Sequence, residues 1–319
     1  MDGEERNTAY NTGFASGGVT CKLRALCFYS SSVLVDNFVL RNPPSQSPKP
    51  LYDMLPKIAQ MNKITILLFP LFISSFTFAQ SAKELNLKSK ELIQERKFEE
   101  ALPLVKKSAE LGNPEAQYNY AIFLQEGIGI QKNEQEAIKW YSKSSDNGFN
   151  DGHYAMMMAY GNGQGIEQNS EKAFEYALKC ANNNDATCMW NVVNCYLTGN
   201  GVKSDISKFK EWIIRLAKLP NPENLSQSGN ITSARLELAN FYKNGEYFEK
   251  DIYQSYLWYL IYNEYKVDFS ILKQEEVIKE IKELEKSLTK SQIENAPKDA
   301  ENLLGRKLIN LGELYKNSL

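Results

Sequence analysis

The sequence predicts an all-α solenoid of stacked helix hairpins, and residues returning at one fixed interval predict it. Glycines recur as Gly127 and Gly129, Gly163 and Gly165, Gly199 and Gly201, and then Gly245, at spacings of 36, 36 and 46. Aromatic residues hold a matching column at Trp140, Tyr176, Trp212 and Trp258, and a second runs Leu124, Tyr160, Tyr196, Tyr242. Small residues hold another at Ala116, Gly152, Cys188 and Ala234. Every column absorbs the same insertion of about ten residues, placed at Pro220 to Asn230, whose Pro, Asn, Ser and Gly content is that of a surface loop. A fixed period between 20 and 50 residues indicates supersecondary units that bury their apolar faces only by stacking on one another.

Each unit reads as two helices. Ala116, Tyr120, Ala121 and Leu124 fall at three- and four-residue steps, which places them on one helical face. Gly127-Ile128-Gly129 ends that helix, because glycine enters a left-handed conformation at little cost. A second amphipathic stretch, Glu134 to Asp146, turns Ala137, Trp140 and Tyr141 inward and stops at Asn147-Gly148. Neighbouring units are expected to bury the aromatic column from both sides, each ring contributing on the order of 2 to 3 kcal/mol. The third and fourth copies depart from the pattern: Phe209 stands where Ala137 and Ala173 stand, and Tyr247 replaces the second turn glycine, so distortion is expected there.

The boundaries follow. Residues 113–268 hold about four repeats, within one continuous body, and 80–112 form an irregular N-terminal helix pair in which Phe98, Ala101, Leu104 and Gly112 continue the phase. Residues 269–319 form capping helices: Val277, Ile278, Ile281, Leu284 and Leu288 share one face, and Thr289-Lys290-Ser291-Gln292 has the form of a capping box. Met61 to Gln80 opens with a methionine and the basic Lys63, continues in an apolar run from Ile64 to Phe78 and ends Thr77-Phe78-Ala79 before Gln80, the pattern of a secretory signal peptide cleaved after Ala79. The run is shorter than a spanning helix needs, so no stable membrane span is expected after cleavage. Residues 1–60, with the proline-rich Asn42 to Pro50, show no trace of the repeat and read as a disordered extension from an upstream start, the natural start being Met61. The chain is therefore expected to be exported, to a periplasm or to the outside.

Composition narrows function. Thirty-seven basic and 39 acidic residues leave a net charge of -2, which argues against a nucleic-acid partner. His153 is the only histidine, which removes multi-histidine zinc sites and leaves one possible base for a histidine-dependent triad; it falls mid-helix beside Tyr154, where a structural role is expected. The glycine pairs follow the repeat period and carry neither a Walker sequence nor a full dinucleotide fingerprint. No catalytic residue, metal site or cofactor is expected. Cys180 and Cys188 stand at the end of one unit's second helix and the start of the next unit's first, and in an oxidising compartment such a pair can close; alternatively both are only small buried residues, like the aligned Ser144, Ala116 and Gly152. Cys195, aligned with Phe123, Ala159 and Phe241, reads as a core thiol.

The segments Ala137-Ile138-Lys139-Trp140-Tyr141-Ser142-Lys143-Ser144-Ser145-Asp146-Asn147-Gly148 and Tyr120-Ala121-Ile122-Phe123-Leu124-Gln125-Glu126-Gly127-Ile128-Gly129-Ile130 resemble the Sel-1-like repeat family, a relative of the tetratricopeptide repeats. The resemblance implies a right-handed superhelix that serves as an adaptor, holding a protein or peptide against its concave side. In such repeats the first helices line that side. The stripe beside the core then holds Asn119, Ile122 and Glu126, then Met158 and Asn162, then Asn191 and Asn194, then Glu237, Asn240 and Asn244. A side-chain amide offers both donors and an acceptor, so a ladder of asparagines can hold an extended peptide backbone without reading its sequence. The Cys180–Cys188 spacing is also similar to the bridge of a cysteine-rich secreted branch, whose members have been associated with penicillin binding and β-lactam hydrolysis. Ser207 to Lys210 and Ser287 to Lys290 fit Ser-x-x-Lys, and Ser145-Asp146-Asn147 fits Ser-Asp-Asn, but no Lys-Thr-Gly is present. A third alternative is an envelope component that self-associates through Tyr253, Tyr256 and Tyr259.

Overall fold

The computed structural model describes residues 81–263 and 271–308. The proposed signal peptide and the extension before it lie outside the described residues. Among those described, twelve helices follow one another with no strand. They are α1 (81–94), α2 (Phe98–Glu110), α3 (Pro114–Glu126), α4 (Glu134–Asp146), α5 (Asn150–Asn162), α6 (Ser170–Asn182), α7 (Ala186–Thr198), α8 (Ile206–Lys218), α9 (Leu225–Asn244), α10 (Ile252–Tyr262), α11 (Ile271–Glu285) and α12 (Lys290–Leu304). The chain divides into two compact units. Among the described residues, one comprises 81–152 together with Gly161–Glu167, the other His153–Tyr160, 168–263 and 271–308.

In the first unit α3 packs between α2 and α4. Ser108 donates to the Ala82 carbonyl at 2.6 Å and Ser144, 36 residues later, to the Pro114 carbonyl at 2.7 Å, so a serine in the second helix ties both the α1–α2 and the α3–α4 hairpins. Gly152 has to be small. A Cβ there would lie 2.7 Å from both Ser144 Oγ and the Ser145 nitrogen.

In the second unit α7 packs against α6, α8 and α9, and α10 packs against α9, α11 and α12. The helix α10, Ile252 to Tyr262, is apolar on nearly every side, and a helix of that kind must be covered all round. Val277, Ile278, Ile281 and Leu284 of α11 and Ala296 and Ala300 of α12 are buried with it. The capping box at Thr289 forms: Thr289 Oγ1 accepts from the Gln292 nitrogen, and Gln292 Oε1 accepts from the Thr289 nitrogen.

The aromatic column falls in register, at the seventh residue of α4, α6, α8 and α10. Its burial is uneven, contrary to the expectation of two-sided cover. Trp258 is fully buried and Trp212 nearly so, but Trp140 and Tyr176 are half-buried. The side each keeps open is taken by a cation one turn on: Lys143 Nζ lies 3.6 Å from the Trp140 ring centroid and Lys179 Nζ 4.6 Å from that of Tyr176.

The four turns inside the repeats are near copies. Asn133, Asn169, Asp205 and Asp251 cap α4, α6, α8 and α10, each side chain accepting from the backbone nitrogen three residues on, at 2.9 to 3.0 Å. The same four residues donate their own N–H to the carbonyls of Leu124, Tyr160, Tyr196 and Tyr242, at 2.8 to 2.9 Å. The fourth turn escapes the expected distortion. Tyr247 adopts φ 56°, close to the 65°, 68° and 73° of Gly129, Gly165 and Gly201. Its ring packs 5.1 Å from those of Phe209 and Phe241, so the two departures from the repeat pattern compensate each other.

The insertion is a correction to the sequence reading. Its second half is helix, not loop: α9 begins at Leu225 and runs 20 residues, against 13 for α3, α5 and α7. Asn224 caps it by accepting from the Gln227 nitrogen at 3.1 Å. Asn221 donates to Ser228 Oγ at 2.8 Å and Thr232 Oγ1 at 3.1 Å, satisfying polar side chains on the added turns. Arg235, fully buried, donates from Nε to the Ala217 carbonyl at 2.9 Å, from Nη2 to the Leu219 carbonyl at 2.8 Å and from Nη1 to Asn221 Oδ1 at 2.7 Å. One side chain thus satisfies the open C-terminal end of α8 and fixes the path into α9.

Gly201 tests how the hairpins fit together. It has φ 73°, and a Cβ would meet the Ser170 carbonyl oxygen at 2.1 Å, whereas a Cβ on Gly112, φ 90°, meets nothing within 4 Å. Gly112→Ala is expected to cost about 1 kcal/mol, the left-handed penalty alone. Gly201→Ala is expected to cost about 3 kcal/mol, measured by urea denaturation. Equal losses would show that the approach to α6 does not constrain Gly201.

Candidate interaction surface

The stripe predicted on the first helices is uneven. On α3, Asn119 is 2% exposed and Ile122 is buried, so neither is open to a partner. Asn119 Nδ2 is buried without a hydrogen-bond partner among the described residues. Glu126 is exposed and accepts from Gln125 Nε2 at 2.9 Å, and Asn162 is exposed at the end of α5.

In the second unit the stripe is open. Met158 is exposed, Asn191, Asn194, Glu237 and Asn240 are half-buried, and Asn244 is exposed with its amide 3.4 Å from Glu246 Oε1. Three of the amides are fixed by internal bonds. Asn191 Nδ2 donates to the Thr187 carbonyl at 2.8 Å and Asn194 Nδ2 to the Trp190 carbonyl at 3.0 Å, each one turn back on α7. Asn240 Oδ1 accepts from the Tyr259 hydroxyl at 2.8 Å. The two α7 amides therefore keep their carbonyl oxygens as spare acceptors, and the α9 amide keeps its NH₂ as a spare donor.

What holds α7 and α9 in place is a cluster of bonds around residues 180–188. Cys180 and Cys188 form a disulfide, with Cα atoms 5.7 Å apart, joining the end of α6 to the start of α7. Asp185 caps α7, its Oδ1 accepting from the Thr187 and Cys188 nitrogens at 3.0 Å each, while Oδ2 accepts from Gln227 Nε2 of α9 at 2.7 Å. Asn230 donates to Thr187 Oγ1 at 3.2 Å. The added turns of α9 are thus a brace across the first turn of α7. The sulfurs of Cys180 and Cys188 and an Asp185 carboxylate oxygen lie within 4.8 Å of one another, but the sulfurs share a covalent bond and the carboxylate is engaged as a cap.

Arg235, Gln227 and Asp185 escaped the sequence reading. The available signal was a charged residue between Ala234 and Leu236 on an otherwise apolar helical face.

Cys195 is half-buried, and burial pushes its thiol up to about 11, so it is a poor nucleophile near neutral pH. His153 is buried within α5. Ser207 is exposed on the first turn of α8, and Lys210 lies 5.2 Å from the Phe248 ring centroid, on an open helix rather than in a pocket. Tyr253, Tyr256 and Tyr259 are not the exposed self-association surface expected of them. Tyr256 and Tyr259 are buried, and the hydroxyls of Tyr253 and Tyr256 donate to Asp299 at 2.6 Å and Glu285 at 2.9 Å, on the closing helices.

The Sel1 repeat family model matches residues 114–149, 152–185, 187–221 and 232–261, and the break between the last two falls on the insertion. The chain carries four Sel1 repeats. Each matched segment takes in the first and second helix of one hairpin. Among solved structures, the Sel1 chain is similar to a Sel1 repeat protein from Oxalobacter formigenes, at 23% identity over 56% of this chain and 69% of that one, with a TM-score of 0.47. It is also similar to c5321, a protective antigen present in uropathogenic Escherichia coli strains displaying an SLR fold, at 21% identity over 77% of this chain and 59% of that one, with a TM-score of 0.37. No curated protein matches it significantly in sequence.

Two outcomes follow for the cysteines. Cys180→Ala/Cys188→Ala is expected to lose about 2.5 kcal/mol in urea denaturation, the chain-entropy value for so short a loop; an unchanged midpoint would mean that the caps alone hold this junction. For Cys195, burial disfavours the thiolate, so labelling of the native protein by iodoacetamide, followed by peptide mass spectrometry, should be slow at pH 8. It should rise about tenfold per pH unit towards 11.

Proposed function

We propose that this Sel1-repeat chain is an exported scaffold without chemistry of its own, which holds an extended segment of a protein partner against the first-helix face of α7 and α9. Sel1 repeats commonly serve protein interaction, and the observation that carries the reading here is the fixed orientation of three amides. Asn191 and Asn194 hold acceptors ready and Asn240 holds a donor ready, with internal hydrogen bonds already setting each side chain. A peptide backbone supplies the complementary N–H and C=O groups. Amides pinned in advance lose less rotamer freedom when they bind it. Export is supported by the leader-like Met61 to Gln80 and by the Cys180–Cys188 bridge, which suits an oxidising compartment.

Cross-linking mass spectrometry in the native cell envelope identifies the partner, and calorimetry then measures its affinity. Asn191→Ala, Asn194→Ala and Asn240→Ala combined should weaken binding by about 100-fold, at roughly 1 kcal/mol per hydrogen bond, while the far-ultraviolet spectrum stays that of a helical array. An unchanged affinity refutes the face. A mature chain isolated from the cytoplasm with residues before Met61 intact refutes export.

A further inference from the structure

The second helices of the two middle hairpins carry a surface that the first-helix stripe does not explain. On α6, Lys172 lies 5.2 Å from the ring centroid of Tyr160 and Lys179 lies 4.6 Å from that of Tyr176. On α8 the arrangement repeats: Lys208 lies 5.3 Å from the Tyr196 centroid, and the Arg215 guanidinium 4.7 Å from that of Trp212. These cations occupy the third and tenth positions of their helices, so each pair shares one face about 10.5 Å apart along the axis. The two helices lie side by side in the same direction. At one end the turn before α8 approaches Ser170 so closely that Gly201 has no room for a Cβ; at the other, Arg215 Nη2 donates to Asn184 Oδ1 at 2.9 Å, just past α6. Four cations therefore form a two-by-two array.

The array differs from the other charged surfaces of the protein. Several lysines elsewhere are ion-paired, as in Lys90–Glu115, Lys132–Glu134, Lys139–Glu136, Lys243–Glu280 and Lys307–Glu301, while Lys143 at the tenth position of α4 lies over the Trp140 ring. Among the described residues, none of Lys172, Lys179, Lys208 and Arg215 has a carboxylate at ion-pair distance. Glu175 and Glu211, each one residue before the central ring, and Glu171 are the acidic residues of these two helices; Lys210 and Lys218 add to the cations. In the first hairpin the third position is Glu136, paired to Lys139, and in the fourth the two positions are Gln254 and Ile261. α8 carries four basic residues against one acidic, whereas Lys172 and Lys179 of α6 are matched in number by Glu171 and Glu175, in a chain whose net charge is -2.

We propose that this face docks an acidic polypeptide segment. Carboxylates supply the missing counter-charge. The rings themselves are not on offer, because Trp212 is buried and the cations lie over Tyr160, Tyr176 and Tyr196. A single-stranded nucleic acid needs open ring faces on which to stack its bases, and a membrane needs exposed apolar groups to insert. Neither is present in the array. The cations are also held in place by the rings beneath them, which lowers the ordering cost of meeting a charged partner.

The test is fluorescence anisotropy with the full chain and a labelled twelve-residue peptide alternating Glu and Ser, beside its Gln–Ser counterpart. Binding of the Glu peptide alone is expected, weakening as salt is raised. Lys172→Gln/Lys179→Gln/Lys208→Gln should weaken it at least tenfold, and the corresponding three Lys→Arg changes should restore it. Lys286→Gln/Lys290→Gln/Lys298→Gln, on and before α12, should leave it within twofold. An equal loss in that control overturns the proposal, as does an unchanged affinity in the first variant. Tighter binding of a twelve-nucleotide single strand or of vesicles containing anionic phospholipid, lost with the same three lysines, overturns the peptide class. The Asn191→Ala/Asn194→Ala/Asn240→Ala protein should bind the Glu peptide normally, so failure on one face is separable from failure on the other.

Discussion

One hydrogen bond sets the geometry of every repeat: the cap residue of the second helix donates its backbone N–H to a carbonyl near the end of the first. Asn133, Asn169, Asp205 and Asp251 make it to Leu124, Tyr160, Tyr196 and Tyr242 within 0.1 Å of one another in length. The same residue uses its side chain to satisfy the first turn of the helix it begins. A single Asn or Asp therefore closes two accounts of unpaired backbone at once, at the end of one helix and the start of the next. Glycine ends the first helix, but this bond fixes the angle at which the second leaves. That is why Tyr247 can replace a glycine without opening the turn: the bond at Asp251 is unchanged, and the Phe209 and Phe241 rings offset the strain of a left-handed tyrosine.

The repeat was legible because it rests on residues whose side chains cannot be exchanged freely. Gly201 abuts a carbonyl, Gly152 abuts Ser144, and the ring column occupies one position of successive helices. The cap column was equally periodic but hid among ordinary turn residues, since Asn and Asp in a turn have many possible uses. The insertion misled because its composition is that of a loop. Local content argued against helix, and what overrode it was tertiary: Asn221 and Arg235 satisfy the serine, threonine and open carbonyls that would otherwise have needed water. A buried arginine cannot be inferred from a helix pattern that offers it no visible partner, because its partners are carbonyls of another helix end.

The candidate stripe was legible only in part, for a related reason. Periodicity places Asn119 and Asn191 in one row and Asn194 and Asn240 in the next, but it does not report how deeply each position is covered. Asn119 is buried beside its helix, whereas Asn191 and Asn240 are half-open. Nor does it report that Asn191 and Asn194 spend a donor on their own helix while Asn240 spends its acceptor on Tyr259. Those bonds decide the polarity each amide shows to a partner. The polarity is a property of the packed structure and not of the residue type.

The two proposed faces of the second unit share one foundation, and this links them physically. The junction at residues 180–188 ties α6 to α7 through the disulfide, α7 to α9 through Asp185 and Gln227, and α6 to α8 through Asn184 and Arg215. The amide stripe lies on α7 and α9, and the cation array on α6 and α8. A segment bound across either face meets two helices whose spacing is set by the same few bonds. Because Cys180 and Cys188 are both completely buried, a reductant reaches the bridge only after the junction opens. The covalent tie therefore acts as a fixed brace, holding both faces at a constant spacing for as long as the unit stays folded.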